Sequence, residues 1–139
     1  MPDNWKKMTY FALRIGNEPG ELARFAERAR DAGVNFIGLW GYAPGVDEPH
    51  LSCVPENSEV FRAFSESSDF PGGRVEEGTT FYLSETDSPG ALVGVLNRIA
   101  QAGVNVESIE CVSAGPRFGC FLWTEPSQVE ALEQVLMAT

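Results

Sequence analysis

Apolar residues recur with two different periods along the chain. Residues 8–15 and 79–84 are rich in β-branched and aromatic residues, which is typical of strands. The segments that follow each of them change to the i, i+3, i+4, i+7 spacing of a helix with one apolar face. The apolar positions are Leu22, Phe25, Ala26 and Ala29 in the first helix, and Leu92, Val95, Leu96 and Ile99 in the second. The pattern therefore predicts a strand followed by an amphipathic helix at two places.

Both predicted helices end at a glycine, Gly33 or Gly103, which is the residue that most easily takes a C-cap conformation. Strands are predicted to resume over 34–42 and 104–112, and the first has apolar residues on both phases, which indicates a bulge or burial on both faces. Third strands follow over 51–54 and 117–124, each before a second helix. The spacing of Ser127 and Glu130 predicts a capping box at the last helix.

The two halves of the chain are copies of one another. Shifted by 70, residues 9–40 lie without a gap on 79–110, with 11 identities in 32 positions. The matched residues are Thr9, Phe11, Leu13, Pro19, Gly20, Leu22, Arg28, Ala32, Gly33, Val34 and Asn35, against Thr79, Phe81, Leu83, Pro89, Gly90, Leu92, Arg98, Ala102, Gly103, Val104 and Asn105. The repeated unit is longer than the roughly 20–45 residues of solenoid repeats, so we predict two small domains, 1–77 and 78–139.

The predicted order in each copy is β-α-β-β-α, which is the ferredoxin-like α+β arrangement of antiparallel sheets with helices on one face. Residues 74–77 are expected to supply a closing strand to the first copy. The second copy reaches Thr139 with no room for its own last strand, so we expect that strand to be lacking or shortened. An unpaired edge recruits another strand, and we expect it to pair with the other repeat or with a dimer mate.

The loop between the first strand and first helix carries a family resemblance. It reads Asn17-Glu-Pro-Gly-Glu-Leu22 in one copy and Asp87-Ser-Pro-Gly-Ala-Leu92 in the other, and Ala-Gly-Val-Asn follows at 32–35 and 102–105. This pattern resembles the ACT domain, a βαββαβ regulatory module. The resemblance implies a stand-alone tandem ACT-domain protein that binds an amino acid at this loop, between paired domains.

Carried onto this chain, the resemblance places the ligand at Asn17, Glu18, Pro19, Gly20, Glu21 and Leu22, and at Asp87, Ser88, Pro89, Gly90, Ala91 and Leu92. A helix N-terminus has unpaired N–H groups and a partial positive charge, so it can hold a ligand carboxylate. Asp87 suits a ligand ammonium group better than the neutral Asn17 does, so the second copy is expected to be the better site. The same residue types also form an ordinary strand-to-helix turn.

Asn35 and Asn105 follow the predicted C-cap glycines, and they are equally well interpreted as turn formers and as pocket-lining residues.

The charge and the residue inventory exclude several classes of function. Lys and Arg number 10 against 20 Asp and Glu, and the net charge of −10 disfavours nucleic acid and anionic membranes as partners. No apolar run is long enough for a membrane helix and the start lacks a signal peptide, so a cytoplasmic location is expected. One histidine and three cysteines without a Cys-x-x-Cys spacing predict no metal site, no cofactor and buried reduced thiols.

We therefore expect a non-catalytic, amino-acid-binding allosteric regulator, a homodimer with a metabolic enzyme as its possible partner. The alternative is a ligand-free regulatory or structural subunit that docks on such an enzyme. A small enzyme on a ferredoxin-like scaffold is a third reading, for which the sequence offers no catalytic residues.

Overall fold

The computed structural model describes residues 4–41 and 50–138, and within them the chain forms six strands and four α-helices. The order β-α-β-β-α occurs twice, which confirms the predicted α+β class. The first half contains β1 (Asn4–Leu13), α1 (Glu21–Asp31), β2 (Phe36–Gly41), β3 (Leu51–Pro55) and α2 (Ser58–Ser65). The second half contains β4 (Glu76–Thr86), α3 (Val93–Gln101), β5 (Ser108–Ala114), β6 (Arg117–Trp123), a short 3-10 turn (Pro126–Gln128) and α4 (Val129–Met137). Tyr42, the last residue of a predicted strand, lies outside the described residues.

The chain folds into two compact units whose boundary passes through β1 and β4. The first unit is Thr9–Gly78, and the second combines residues 4–8 with residues 79–138. The predicted ranges 1–77 and 78–139 place residues 4–8 in the first domain, whereas the structure places them in the second unit. The strand predicted over 74–77 is not a separate closing strand. Glu76 and Glu77 are instead the first residues of β4, which continues to Thr86.

The first unit has a sheet in the order β2-β3-β1-β4, with helices on one face. Phe11 and Leu13 point to that face, where they pack with Phe25 of α1 and Phe61 of α2. The rings of Phe11 and Phe61 lie 4.4 Å apart. In β2 the pairing register shifts between Phe36 and Gly38, so the apolar residues on both phases are explained by the predicted bulge.

The second unit repeats this arrangement in the order β5-β6-β4-β1. Its core is formed by side chains from β4, β6, α3, α4 and the segment that follows α3, namely Phe81, Leu83, Val95, Ile99, Val104, Phe118, Cys120, Leu122, Leu132 and Leu136. Trp5 packs against this core with its ring 6.4 Å from that of Phe81, and Lys7 forms an ion pair of 3.3 Å with Glu133. The edge that the sequence leaves open in the second copy is therefore covered by residues 4–8 of the same chain.

The repeated Ala-Gly-Val-Asn segments build the same C-cap in both units. Gly33 and Gly103 have φ values of 80° and 76°, which confirms them as C-cap glycines. Val34 N donates to Ala29 O at 2.9 Å, and Val104 N donates to Ile99 O at 3.2 Å, the long bond of a Schellman motif. Both valines are buried, so the motif also anchors the chain as it leaves the helix.

The predicted capping box at the last helix is wrong. Residues 126–128 form the 3-10 turn, and α4 begins at Val129 without a side-chain cap. The Gln128 side chain instead accepts a hydrogen bond from Asn105 N and donates one to Gly103 O, so it braces the segment that follows α3. The side-chain cap occurs at α2, where Asn57 accepts from Glu59 N and Val60 N.

Replacing Trp5 tests the role of the N-terminal residues in the second unit. We expect Trp5→Ala to destabilise this unit by roughly 2 kcal/mol, because a half-buried aromatic ring leaves the core. Hydrogen exchange should then accelerate in α4 and over 79–86. Lys6→Ala, an exposed neighbour, is the matched control, and equal effects of the two substitutions would contradict this role.

The ion pair between Arg62 and Glu77 predicts a pH dependence of the first unit. Arg62 donates two hydrogen bonds of 3.0 Å to the Glu77 carboxylate, and these lower the pKa of Glu77 from its usual value. A folded pKa below the unfolded one stabilises the fold at neutral pH, and this contribution is lost as the pH falls through the folded pKa. Denaturant unfolding should therefore separate wild type from Glu77→Gln at pH 7 but not in acid. The difference in unfolding free energy should be small, because both side chains are partly exposed. The control Glu76→Gln should not change the unfolding free energy at either pH.

Candidate functional site

The loop between β4 and α3 is tied to the β5–β6 hairpin at its start. Asp87 N donates to Pro116 O at 2.8 Å. This bond comes directly after the last β4–β6 pair, Thr86 with Arg117. Ala91 N then donates to Ser88 O, and Val93 N donates to Gly90 O at 3.0 Å. Gly90 has a φ of 77°, a left-handed conformation that favours glycine. The loop is thus a series of tight turns that holds Asp87 at the exposed start of α3.

A cavity of about 310 Å³ lies beside this loop in the second unit. The loop contributes five of the predicted site residues, Asp87, Ser88, Gly90, Ala91 and Leu92. The remaining lining residues come from α3 and the hairpin, and they are Val93, Leu96, Cys111, Ser113 and Phe118. Its volume is at the small end of the roughly 300–1,000 Å³ range of small-molecule sites. Carboxylate, hydroxyl and apolar groups therefore face one small space at a helix N-terminus.

The positive end of the α3 dipole is not neutralised by an acidic side chain in its own first turn. No side chain caps this helix, and its first turn has no acidic residue. The unpaired N–H groups and the partial positive charge of a helix start attract an anion. The site thus combines a region suited to a carboxylate with the Asp87 carboxylate, which is suited to a cation.

The corresponding loop of the first unit supplies its own anion. Gly20, with a φ of 92°, precedes α1, and Glu21 N donates to Glu18 O. The Glu21 carboxylate lies over Gly16, because a Cβ built on that glycine would be only 2.9 Å from the Glu21 carboxylate oxygen. Arg24 is 3.8 Å from the other oxygen. The other predicted residues of this loop, Asn17, Pro19 and Leu22, are exposed.

Asn35 and Asn105 lie at the opposite ends of the helices from these loops. The 11 residues of α1 span about 16 Å, and Asn35 follows its C-terminus. Asn35 Nδ2 donates to Glu56 at 2.8 Å, and both residues line a cavity of about 250 Å³ that does not include the loop. Asn105 N donates to Gln128 and does not line the cavity at Asp87. Each asparagine therefore makes its hydrogen bond in the segment that follows its helix, and neither lies at a predicted ligand loop.

A larger cavity, of about 540 Å³, lies in the first unit between the C-terminal half of α1 and α2. Arg28 Nη1 donates to the backbone oxygen of Asp69, in the segment that follows α2, at 3.0 Å. None of the predicted site residues lines this space. We therefore assign the candidate site to the cavity of about 310 Å³, which the predicted loop of the second unit lines.

Three residues of the hairpin, Cys111, Ser113 and Phe118, line the site but were missed from sequence. The signal that could have found them is the Gly115-Pro116 turn, which fixes the register of β5 on β6. Glu85 is not one of the residues that line this cavity. It lies opposite Phe118 in the sheet, and in the part of the chain that the structure describes one of its carboxylate oxygens is buried without a hydrogen-bond partner.

The cysteines differ in their exposure. All three are free thiols, with Cys53 and Cys120 buried and Cys111 exposed, so the prediction of buried thiols is wrong for Cys111. Cys111 lies on β5, which is an outermost strand of the sheet among residues 4–41 and 50–138. Burial raises the pKa of Cys53 to about 12 and that of Cys120 to about 12, and the adjacent Cys111 thiol contributes to the shift at Cys120.

Over residues 4–41 and 50–138, no cluster of three or more His, Cys, Asp or Glu side chains is arranged to bind a metal ion. In the same residues, no helix has the length and apolar character needed to cross a bilayer.

The chain has the fold of several solved structures. It is similar to a protein from Bacteroides thetaiotaomicron, with a TM-score of 0.79 at 19% identity, over 98% of this chain and 90% of that chain. It is also similar to the regulatory subunit of aspartate kinase from Thermus flavus, with a TM-score of 0.62 at 14% identity over 99% and 96% of the two chains. For the Thermus thermophilus regulatory subunit the values are 0.63 and 13%, over 97% and 94%.

No protein-family model and no curated protein matches the sequence. At identities below 20%, the likeness to solved structures concerns the fold, and it confirms the ACT-like α+β fold that the loop motifs imply.

The raised thiol pKa values predict selective alkylation. Only the thiolate reacts, so in the native protein at about pH 8 iodoacetamide should modify Cys111 and leave Cys53 and Cys120 unmodified. In denaturant all three should react. Mass spectrometry of tryptic peptides measures each site, and rapid native labelling of Cys53 would contradict the buried placement.

Proposed function

We propose that this protein is a non-catalytic regulatory protein that binds a free amino acid in the cavity beside the β4–α3 loop. The observation that carries the proposal is the juxtaposition of Asp87 with the uncapped start of α3 around a space of about 310 Å³. An α-amino acid presents a carboxylate and an ammonium group on adjacent atoms, so it matches this pair of opposite charges. The resemblance of both loops to ACT ligand loops supports the same assignment.

The site suggests an orientation for the ligand. Its carboxylate would accept hydrogen bonds from backbone N–H groups at the start of α3, while its ammonium group would donate to Asp87. Leu96 and Phe118 offer apolar surface to the ligand side chain.

The first-unit loop is proposed as the weaker site. A ligand carboxylate at α1 would have to displace the Glu21 carboxylate, which already lies over the loop. Ala91 occupies the equivalent position in the second unit and leaves that space open. The difference in charge between Asn17 and Asp87 acts in the same direction.

We further propose that two copies of the chain pair to form a homodimer that completes the ligand site. The support is β5, the outer strand of the second unit, in which all seven residues are exposed. Ile109 and Val112 are 43% and 70% exposed, and an edge strand with apolar side chains favours association. A metabolic enzyme is the proposed recipient of the signal, since similar structures are regulatory subunits of aspartate kinase.

The alternative is a regulatory subunit that docks on an enzyme without a ligand of its own. The same exposed β5 edge supports it, because strand addition requires only backbone groups. The two proposals differ in whether the cavity is occupied.

Thermal unfolding against each of the common amino acids tests ligand binding. We expect one of them, or a small group, to raise the melting temperature by several degrees, since a ligand at a hundred times its Kd adds about 2.7 kcal/mol. Asp87→Asn should weaken binding roughly tenfold to a hundredfold in calorimetric titration, because it removes the charge from one hydrogen bond.

Asn17→Ala is the matched control, since this residue occupies the same position in the other loop, and it should leave the affinity unchanged. Loss of binding in Asn17→Ala alone would move the site to the first unit. If no amino acid shifts the melting temperature and an enzyme co-purifies in stoichiometric amount, the ligand-free subunit is the better description.

A further inference from the structure

Two cysteines face one another across the β5–β6 hairpin. Cys111 on β5 is the direct partner of Cys120 on β6 in the pairing register. Directly opposed residues of an antiparallel pair project from the same face of the sheet. Both side chains therefore lie on the face that carries α3 and α4, where Cys120 belongs to the core and Cys111 lines the cavity.

The hydrogen-bond pattern of β6 identifies the kind of pair. Ala114 and Arg117 flank the two-residue turn and Pro116 O accepts from Asp87 N, so alternate backbone groups from Pro116 to Cys120 point toward β4. The pair of Cys111 and Cys120 is then a non-hydrogen-bonded one, with Cα atoms about 4.5 Å apart. This separation is within the roughly 4.4–6.8 Å found for disulfides.

The two thiols differ in access. In the single chain Cys111 is exposed on the outer strand, whereas Cys120 has 0% of its surface exposed. A small oxidant from solvent can therefore reach Cys111 first, and Cys120 is then reached from Cys111 across the pair.

We propose that Cys111 and Cys120 form a dithiol–disulfide site, in which exposed Cys111 reacts with a small-molecule disulfide such as oxidised glutathione and Cys120 resolves the product. In the first step the Cys111 thiolate attacks one sulfur, a mixed disulfide forms, and one glutathione thiolate leaves. In the second step the sulfur of Cys120 attacks Sγ of Cys111, and the proton of the Cys120 thiol passes to the departing glutathione sulfur. The protein disulfide forms and the second glutathione leaves as its thiol, so two protein thiols are oxidised and one disulfide is reduced.

Cys53 provides a control within the same chain. It is buried on β3, where its partners in the sheet are Phe11 and Leu39. It therefore has the burial of Cys120 without a thiol opposite.

Incubation of the reduced full-length protein with oxidised glutathione at about pH 8, close to the ordinary thiol pKa, tests the site. After acid quenching the protein is denatured and alkylated, and its mass and tryptic peptides are measured. The wild type should lose two of its three free thiols, weigh two hydrogen atoms less before alkylation, and yield a peptide linking Cys111 to Cys120. Dithiothreitol should restore all three thiols.

The variants separate the two steps. Cys120→Ser should stop at one glutathione bound to Cys111, Cys111→Ser should not react, and Cys53→Ser should behave as the wild type. If wild type instead retains glutathione on Cys111 with Cys120 free, or forms only links between two chains, the proposal is overturned. If Cys120→Ser fails to fold, the presence or absence of the peptide linking Cys111 to Cys120 in wild type and in Cys53→Ser still tests the proposal. No amino acid is present, so the outcome is independent of the proposed ligand.

Discussion

The fold of the second unit depends on the start of β1, because the second repeat itself supplies only three of the four strands in this unit's sheet. In the second unit β4 would be left with a row of unpaired backbone groups along one side, and the start of β1 supplies their partner. Trp5 adds a ring to the core at this position and Lys7 adds an ion pair to α4. The core of the second unit, and the loop that rests on it, thus depend on residues far away in sequence.

Duplication has given two copies of one loop on one scaffold, and a few side chains distinguish them. Both loops retain proline and a left-handed glycine before the helix. In one copy a glutamate follows the glycine and lies back over the loop, whereas in the other an alanine leaves the helix start open. The two loops share a backbone but differ in charge, and this difference is the basis for proposing the second loop as the ligand site.

Sequence reasoning succeeded where interactions are local. The helices, the C-cap glycines and the bulge in β2 follow from spacing within a few residues, and the structure has them. It failed at the capping box, because the side chain of Gln128 binds the segment after α3 in preference to capping its own helix. The hairpin side of the cavity was also missed. Phe118 reaches it through the sheet register that pairs it with Glu85 of β4, and Cys111 reaches it through its pairing with Cys120.

The shared use of β1 also bears on the order in which the chain can fold during synthesis. Residues 4–8 are synthesised well before the strand they pair with and the helices that bury Trp5. Residues 9–78 contain everything their own sheet needs, so this unit can form while the leading segment is still without a partner. At roughly 5–20 residues per second, that segment waits several seconds for its partner strand. The lysines at positions 6 and 7 keep it soluble in that interval, since charged side chains protect an unpaired strand from pairing with other chains.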